Sequence, residues 1–296
     1  MEFGRLITAM VTPFDAEGRI DWEATGRLID YLIDEQGTDS IVVSGTTGES
    51  PTLDDDEKIQ LFRFAVERAG GRVPVIAGTG SNNTAHSIHL TKEAEAAGAD
   101  GVLLVAPYYN KPSQEGLYQH FRAIAESTKL PVMLYNVPGR TGVNLNADTT
   151  LRLAQIPNIV AMKDCAPTEQ LTAIAAGAPA HFRVYSGDDS QTLPALAVGA
   201  YGIVSVASHI VGREMKRMIQ AYVEGRTAEA AKLHQRLSPI FKGLFNCPHP
   251  VPNPVPVKYA LNHLGIPVGG VRLPLVPLNE AEAAFVRNLL ADRERE

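Results

Sequence analysis

SIVVSGTTGESPTLDDDEKIQLFRFAVERAGGRVPVIAG (residues 40–78) is the stretch on which the fold prediction rests. Two apolar runs, SIVVSG (40–45) and VPVIAG (73–78), enclose a segment with apolar residues at helical spacing, namely Ile59, Phe62, Val66 and Ala69. Continuous apolar runs are typical of strands that are covered on both faces, as in a parallel sheet. The stretch therefore predicts two parallel strands joined by a helix.

Local signals mark both ends of this helix. Thr52, followed by Asp55 three residues later, resembles a capping box at its start. The pair Gly70–Gly71 would end it, because glycine adopts the left-handed conformation that closes many helices.

The same alternation runs along most of the chain. The apolar runs are LITAMV (6–11), SIVVSG (40–45), VPVIAG (73–78), GVLLVAP (101–107), PVMLYNV (131–137), NIVAMK (158–163), FRVYSG (182–187) and GIVSVAS (202–208). Eight strands alternating with helices predict an α/β fold, a closed (β/α)8 TIM barrel. A doubly wound sheet is the alternative, but no G-x-G-x-x-G follows the first strand and eight units fit closure.

The C-terminal part of the chain has a different pattern. We expect a catalytic barrel over residues 1–225 and a C-terminal helical segment over 226–296, whose last helix begins at Asn279 with Glu282 at the third position. Between two helical stretches lies CPHPVPNPVPVK (247–258), whose alternating prolines predict a stiff connector in the polyproline conformation.

Composition and charge exclude several classes of protein. The 296 residues are 45% hydrophobic and 20% charged, with a net charge of −6, which is typical of a globular protein. Without a basic stripe we expect no nucleic-acid partner. Without a long apolar run we expect no membrane span and no signal peptide. The two cysteines, Cys165 and Cys247, suggest no disulfide framework, so we expect a cytoplasmic protein.

A barrel of this class places its active site at the C-terminal ends of the strands, so the residues found there are the candidates for chemistry. They are Thr46 and Thr47 after the second strand, Tyr108 and Tyr109 after the fourth, Tyr135 and Arg140 at the fifth, Lys163 at the sixth, and Gly187, Asp188 and Asp189 at the seventh.

Lys163 ends the apolar strand IVAMK, and this placement suggests a nucleophile. Burial of its stem would lower the pKa of the ammonium group, and a neutral amine can attack a carbonyl carbon to form a Schiff base. The imine is an electron sink, so carbon–carbon bond chemistry would need no metal and no bound cofactor. The alternative is a lysine that extends to the rim of the barrel and into solvent.

Three neighbouring residue types fit the same chemistry. The phenol of Tyr135 could move protons on and off the carbinolamine, and Thr46 could relay them. The guanidinium of Arg140, in a loop between glycines, suits a carboxylate. The alternatives are a core tyrosine with a satisfied hydroxyl, a helix-initiating turn at Thr46–Thr47, and a surface ion pair at Arg140.

Other motifs are weaker. His86 and His89 have i, i+3 spacing, but without further ligands nearby we expect solvent-facing histidines and no metal site. The segment AGTGSNN fits neither a P-loop nor a dinucleotide fingerprint. Of Asp188 and Asp189 at most one would face the site, because adjacent side chains usually point apart. Cys165 has no derivable role, and we expect it to be a small buried residue.

Together, GTTGES, PYYNKP, YNVPGRTG, MKD and SGDD, in this order at strand ends, resemble the dihydrodipicolinate synthases. These belong to the pyruvate-dependent class I aldolases, which include N-acetylneuraminate lyase. The likeness covers the barrel and the C-terminal NPVPVK. GTTGE and the lysine mark the superfamily, whereas PYYN and GRTG indicate the synthases, because the lyases generally lack an arginine at the position of Arg140.

The resemblance implies a role for each motif residue. Lys163 would form the Schiff base with pyruvate, and Tyr135, Thr46 and Tyr109 would form a proton relay, with Tyr109 supplied by a neighbouring subunit. Thr47 would bind the pyruvate carboxylate and Arg140 the carboxylate of L-aspartate 4-semialdehyde. The pocket would also be lined by Gly187 and the carbonyl of Val204.

The implied reaction is an aldol addition followed by cyclisation to 4-hydroxy-tetrahydrodipicolinate, a lyase activity on the diaminopimelate route to lysine. The resemblance also implies self-association into a homotetramer built from two dimers. Two alternatives stay open. One is a sibling aldolase that acts on a sugar acid, which Arg140 argues against. The other is a ligand-binding relative without activity, which the presence of Lys163 and Tyr135 argues against.

Regulation is where the sequence departs from part of the family. Lysine-sensitive relatives have a glutamate early in the third helix, facing the amino group of bound lysine, and histidines opposite it. This chain has His86, Asp55 and Lys58 at the matching positions, although Asn82, Ser50 and Tyr108 match. Histidine offers no negative charge, and Lys58 adds a positive one near a cationic ligand. We therefore expect little or no inhibition by lysine, although Asp55 could compensate in part.

Overall fold

The strands close into a parallel barrel in the computed structural model, which describes residues 2–294. Each strand pairs with its neighbours in the chain, and the last pairs with the first. The strands are β1 Leu6–Ala9, β2 Ser40–Val43, β3 Val75–Gly78, β4 Gly101–Val105, β5 Val132–Asn136, β6 Ile159–Asp164, β7 Arg183–Ser186 and β8 Gly202–Ser205. The (β/α)8 prediction is confirmed: seven strands are shorter than predicted by two or three residues, and β6 keeps its predicted length but is shifted by one residue.

Helices surround the barrel. They are α1 Trp22–Asp30, α2 Asp55–Ala69, α3 Thr84–Ala96, α4 Gln114–Ala125, α5 Pro138–Thr141, α6 Ala147–Leu153, α7 Thr168–Gly177, α8 Thr192–Ala197, α9 Ser208–Val223, α10 Thr227–Gly243, α11 Val255–His263 and α12 Glu280–Glu294. A π-helical turn at Tyr31–Glu35 extends α1, and short 3-10 turns lie at Ser50–Thr52 and Asp189–Gln191. In the described part of the chain, no helix combines the length and the apolar composition needed to cross a membrane.

The apolar residues form two buried clusters because successive strand residues point to opposite faces. The smaller cluster fills the barrel interior and includes Ile7, Val42, Ile76, Met133 and Tyr185. The larger lies between the strands and the helices. Continuous apolar runs are therefore required, since each strand buries both of its faces.

The start of α2 differs from the prediction. Its capping box is formed by Asp54 and Glu57: the Asp54 carboxylate accepts from Glu57 N at 2.8 Å, and Glu57 accepts from Asp54 N at 3.1 Å. The predicted pair of Thr52 and Asp55 is wrong, because Thr52 already belongs to the preceding 3-10 turn. The predicted helix end is confirmed, since Gly70 has a left-handed backbone with φ 56°.

The proline-rich segment is only partly an extended connector. Its last residues form the first turn of α11, which begins at Val255, so the polyproline prediction is wrong there. Pro256 is compatible with this turn, because the first helical N–H groups have no partner within the helix. The preceding residues form a turn closed by a bridge between Asn246 and Pro250. At the start of α12, the predicted cap of Asn279 with Glu282 is confirmed.

The C-terminal helices pack on the barrel. Apolar residues of α10 and α12 belong to the same cluster as the outer faces of the strands; they include Leu233, Leu237, Phe241, Val286 and Leu290. The end of α10 and the turn before α11 lie at the carboxyl ends of the strands. The division of the chain at residue 225 stays a prediction.

Candidate active site

A cavity of about 360 Å³ opens at the carboxyl ends of the strands. Strand-end residues form one wall and residues of the C-terminal segment the other. Its lining comprises Thr46, Thr47, Tyr135, Val137, Arg140, Lys163, Cys165, Gly187, Asp188, Ser190, Val206, Phe241, Lys242, Phe245, Asn246 and Asn253. The fold thus brings together most of the residues that the sequence predicted.

Lys163 lies inside this cavity and not at its outer rim. The residue is only 6% exposed, so the alternative of a lysine extending into solvent does not describe it. Tyr135 is its direct neighbour on the adjacent strand, since the pairing register of β5 and β6 places the two opposite each other. The amine nitrogen lies 4.1 Å from the centroid of the Tyr135 ring. An amine and a phenol are therefore held side by side by two rigid strands.

Gly187 provides the space that the lysine side chain occupies. A Cβ atom at this position would lie 2.8 Å from Cε of Lys163 and 2.4 Å from Sγ of Cys165. Both distances are well below ordinary carbon contacts, so any other residue would displace the lysine. The requirement for glycine is therefore steric.

The loop after β2 presents Thr46 and Thr47 to the cavity. Thr47 is buried, and its Oγ1 accepts a hydrogen bond of 3.0 Å from Nδ2 of Asn253. Thr46 is half-buried, and its carbonyl accepts from the backbone N–H of Glu49 at 3.1 Å. Glu49 itself has a left-handed backbone with φ 56°, an uncommon conformation for a residue with a side chain. The loop is therefore a tight turn that needs outside support.

Buried charges supply that support. The Glu49 carboxylate pairs with the Lys258 ammonium group at 2.9 Å, and both side chains are almost fully buried. Lys258 also donates to the carbonyl of Thr12 at 2.8 Å, and the N–H of Arg272 donates to Glu49 at 2.9 Å. Burial lowers the pKa of Lys258 to about 8, although Glu49 opposes the shift. The ion pair links α11 to the Thr46–Thr47 loop.

Arg140 lies on the single turn α5, where it lines the cavity and is exposed. Among residues 2–294 its guanidinium group forms no ion pair, so the alternative of a surface ion pair is not observed. Asp188 lines the same cavity. The site thus presents a free guanidinium group to any anion that enters.

Four of the predicted site residues lie outside the cavity lining, namely Tyr108, Tyr109, Asp189 and Val204. Tyr109 is 89% exposed, on a loop where its own φ is 73°. Val204 is buried in the barrel interior, and Val206, two residues later, lines the cavity instead.

The two adjacent aspartates point apart, as the sequence predicted. Asp188 lines the cavity, whereas Asp189 is fully buried. Oδ2 of Asp189 accepts from the N–H groups of Val206 and Ala207 at 3.1 and 2.8 Å, and it thereby fixes the turn between β8 and α9. Burial raises the pKa of Asp189 to about 6. Its role is structural.

Cys165 is half-buried in the cavity wall, and so it is less enclosed than predicted. Burial raises the pKa of its thiol to about 11. The thiol therefore stays protonated near neutral pH and is a poor nucleophile.

Asn253, Glu49 and Lys258 were missed as site residues. The contacts that give them a role join positions about two hundred residues apart. The only sequence signal was their presence in the motifs GTTGES and NPVPVK.

A separate group surrounds His86 on α3. Nε2 of His86 lies 2.9 Å from both carboxylate oxygens of Asp55, and Nζ of Lys58 lies 4.0 Å from one of them. The prediction of solvent-facing histidines is confirmed for His89, which is exposed, whereas His86 is half-buried and contacts Asp55. Burial lowers the pKa of Lys58.

Comparisons with known proteins give a consistent result. Residues 2–293 match the sequence model of the dihydrodipicolinate synthetase family. The chain is 59% identical over 293 residues to the 4-hydroxy-tetrahydrodipicolinate synthase of Bacillus velezensis, covering 99% of this chain and 100% of the relative.

Solved structures of the same family have the same fold as this chain. The dihydrodipicolinate synthase DapA-2 of Bacillus anthracis superposes with a TM-score of 0.95 at 56% identity, covering 98% of each chain. The chloride-inhibited dihydrodipicolinate synthase of Acinetobacter baumannii, complexed with pyruvate, superposes with a TM-score of 0.94 at 43% identity, covering 99% of each chain.

Proposed function

This chain belongs to the dihydrodipicolinate synthetase family, and we propose that its cavity condenses pyruvate with L-aspartate 4-semialdehyde to give 4-hydroxy-tetrahydrodipicolinate. The enzyme is a lyase, and its product enters the diaminopimelate route to lysine. The observation that carries the proposal is the buried amine of Lys163, next to the Tyr135 phenol at the carboxyl ends of β5 and β6.

The first half of the reaction activates pyruvate. The amine of Lys163 attacks the keto carbon, and a carbon–nitrogen bond forms. The nitrogen gives up one of its two protons and the Tyr135 phenol supplies a second, so the keto oxygen leaves as water and a protonated imine remains. Thr46 relays protons to and from the phenol. Loss of a proton from the methyl carbon of the imine then gives an enamine, a carbon nucleophile.

The second half builds the carbon–carbon bond. The enamine carbon attacks the aldehyde carbon, and the aldehyde oxygen takes up a proton. The amine of the second substrate then attacks the imine carbon, which closes the ring and releases Lys163 as a free amine. Electrons and atoms balance without an external oxidant or reductant.

The two substrate carboxylates go to different groups. The hydroxyl of Thr47, a buried residue that lines the same cavity as Lys163, binds the carboxylate of pyruvate. Arg140 binds the carboxylate of the aldehyde, because its planar fork matches carboxylate geometry and it is unpaired among the described residues. Gly187 keeps the space around Lys163 open.

Tyr109 is the proposed contribution of a second copy of the chain. Its ring is almost fully exposed and lies outside its own cavity, which supports a role in a neighbouring one. Self-association into a homotetramer built from two dimers would complete the proton relay of each cavity.

Borohydride trapping tests the proposal. Incubation with pyruvate and borohydride is expected to add the mass of a reduced pyruvate adduct to the intact protein, and the adduct should map to Lys163. The enzyme should then turn over pyruvate with L-aspartate 4-semialdehyde but not with sugar-acid aldehydes. The absence of an adduct, or turnover of a sugar acid alone, would reject the assignment.

Arg140→Ala should impair the second substrate more than the first. A charge-assisted bidentate contact is among the stronger hydrogen bonds, so we expect kcat/KM for L-aspartate 4-semialdehyde to fall by about one to two orders of magnitude. Pyruvate trapping should persist. Arg140→Lys is the matched variant, since it keeps the charge but not the fork, and it should recover little activity. Equal losses for both substrates would mean that Arg140 only supports its loop.

L-lysine should inhibit this enzyme weakly or not at all. The Asp55 carboxylate, the group that could compensate for the absent glutamate, is already engaged by His86, and Lys58 adds a positive charge next to it. The measurement is a steady-state assay with rising L-lysine, alongside calorimetry. His86→Glu is the matched variant, because it restores a carboxylate, and it should increase lysine binding. Saturable binding with partial inhibition of the unmodified enzyme would contradict this expectation.

A further inference from the structure

Asn253 is a buried polar residue that faces the active-site cavity from the turn before α11. It is 7% exposed and lies in the wall of the cavity with Thr47. Nδ2 donates to Oγ1 of Thr47 at 3.0 Å, and Oδ1 has no hydrogen-bond partner among residues 2–294. The hydrogen bond to Thr47 is therefore the contribution of the Asn253 side chain to the site.

The direction of this hydrogen bond matters for the chemistry of Thr47. A hydroxyl group has one proton to donate and can accept through its lone pairs. When Oγ1 accepts from Asn253, the proton of Thr47 is left to point into the cavity. There it meets a carboxylate, which accepts hydrogen bonds and donates none.

We infer that Asn253 is a positioning residue for pyruvate, which acts by holding the Thr47 hydroxyl as a donor toward the substrate carboxylate. The inference rests on the proposed function, because it assumes that Thr47 binds this carboxylate. It assigns the C-terminal segment a part in substrate recognition, although that segment contributes none of the groups that form or break bonds.

A second link between the same two segments keeps this geometry in place. Lys258 follows Asn253 by five positions and pairs with Glu49, which follows Thr47 by two. The Lys258 ammonium group also lies 4.2 Å from the centroid of the Phe14 ring. Because the turn before α11 and the first turns of α11 are each attached to the loop, the Asn253 amide cannot move away from Thr47 without disturbing a buried ion pair.

The test measures steady-state kinetics of Asn253→Ala, Thr47→Ala and the double variant, all in the full-length enzyme. Asn253→Ala is expected to raise KM for pyruvate by about tenfold, the scale of one hydrogen bond to a charged acceptor, with kcat close to that of the unmodified enzyme. Since Asn253 acts through Thr47, the double variant should be no worse than Thr47→Ala. Additive effects on KM would overturn the inference.

Asn253→Asp tests the direction of the hydrogen bond and keeps the shape of the side chain, which guards against misfolding of the alanine variant. A carboxylate must accept from Thr47, so it would turn the hydroxyl proton away from the cavity and place a negative charge near the substrate. We expect KM for pyruvate to rise at least as much as in Asn253→Ala. A variant with unchanged KM would show that Thr47 donates to residue 253, and the inference would fail.

Asn262→Ala, on the helix α11 that follows Asn253, is the matched control. The Asn262 side chain makes two hydrogen bonds outside the cavity, donating to the carbonyl of Gly269 and accepting from the N–H of Val268. The KM of the Asn262→Ala variant for pyruvate should stay at the wild-type value. If KM rose as much in Asn262→Ala as in Asn253→Ala, a general loosening of α11 would explain both increases. The inference that Asn253 positions Thr47 would then be rejected.

Trapping separates this inference from the proposed function. If the unmodified enzyme does not form the reduced pyruvate adduct, the proposed function fails. If it forms the adduct while Asn253→Ala leaves the dependence of trapping on pyruvate concentration unchanged, only the role of Asn253 fails.

Discussion

Replacing Lys163 with alanine is expected to abolish trapping of pyruvate and to reduce synthase turnover to background. The nucleophile is lost entirely, and the reaction depends on a covalent imine for its electron sink. Within residues 2–294, the cavity wall holds one other lysine, Lys242, which lies exposed on α10 and not at a strand end. We expect the barrel to fold in this variant, because alanine adds no volume and the removed side chain borders a cavity.

Intact-mass analysis after borohydride reduction checks this expectation. Lys242→Ala is the matched control, and it should still gain the mass of the reduced adduct. Tm should be compared for both variants, so that loss of trapping is not confused with unfolding. A Lys163→Ala protein that still gains the adduct would show that another amine is the nucleophile, and the central assignment would be wrong.

Tyr135→Phe should lower kcat by about 10²- to 10⁴-fold, the usual contribution of a general acid–base group, while the fold is retained. The ring is buried in the barrel interior, and phenylalanine keeps its packing and its face toward the Lys163 side-chain nitrogen. Only the hydroxyl is removed, so imine formation loses its proton donor.

The control for this variant is Tyr185→Phe. Tyr185 is a second buried tyrosine of the barrel interior, but its hydroxyl donates to the carbonyl of Gly4 at 2.8 Å and takes no part in the cavity lining. Its loss should cost about 1 kcal/mol of stability and leave kcat almost unchanged. Single-turnover measurements of adduct formation can separate the chemical step from product release. A near-wild-type kcat in Tyr135→Phe would remove Tyr135 from the relay.

The sequence predicted the barrel and much of the site because both depend on local signals. Each strand is a short apolar run that buries both faces, and the helices between strands have their own periodicity and caps. Once eight such units are counted, the fold class places every strand end at one mouth. Lys163, Tyr135, Arg140 and Gly187 could therefore be assigned to one cavity without coordinates.

The predictions failed where a local pattern fitted two conformations. Thr52 has a side chain that can cap a helix N-terminus, but it belongs to a 3-10 turn, and Asp54 caps α2 instead. The prolines before Lys258 suit an extended connector, yet proline also suits the first turn of a helix, and α11 begins there. For His86 the sequence predicts exposure because no further ligand lies nearby in the chain, but α2 packs beside α3 and brings Asp55 to it.

The sequence by itself thus determined the order of elements, the barrel and the strand-end residues, because apolar periodicity and strand order are properties of neighbouring residues. Tertiary structure alone decided what supports the Thr46–Thr47 loop. The Asn253–Thr47 hydrogen bond spans 206 positions and the Lys258–Glu49 pair spans 209. Such contacts exist only after the barrel has closed and the C-terminal helices have packed over its mouth. There, burial makes an unpaired charge costly, so Glu49 requires an oppositely charged partner such as Lys258.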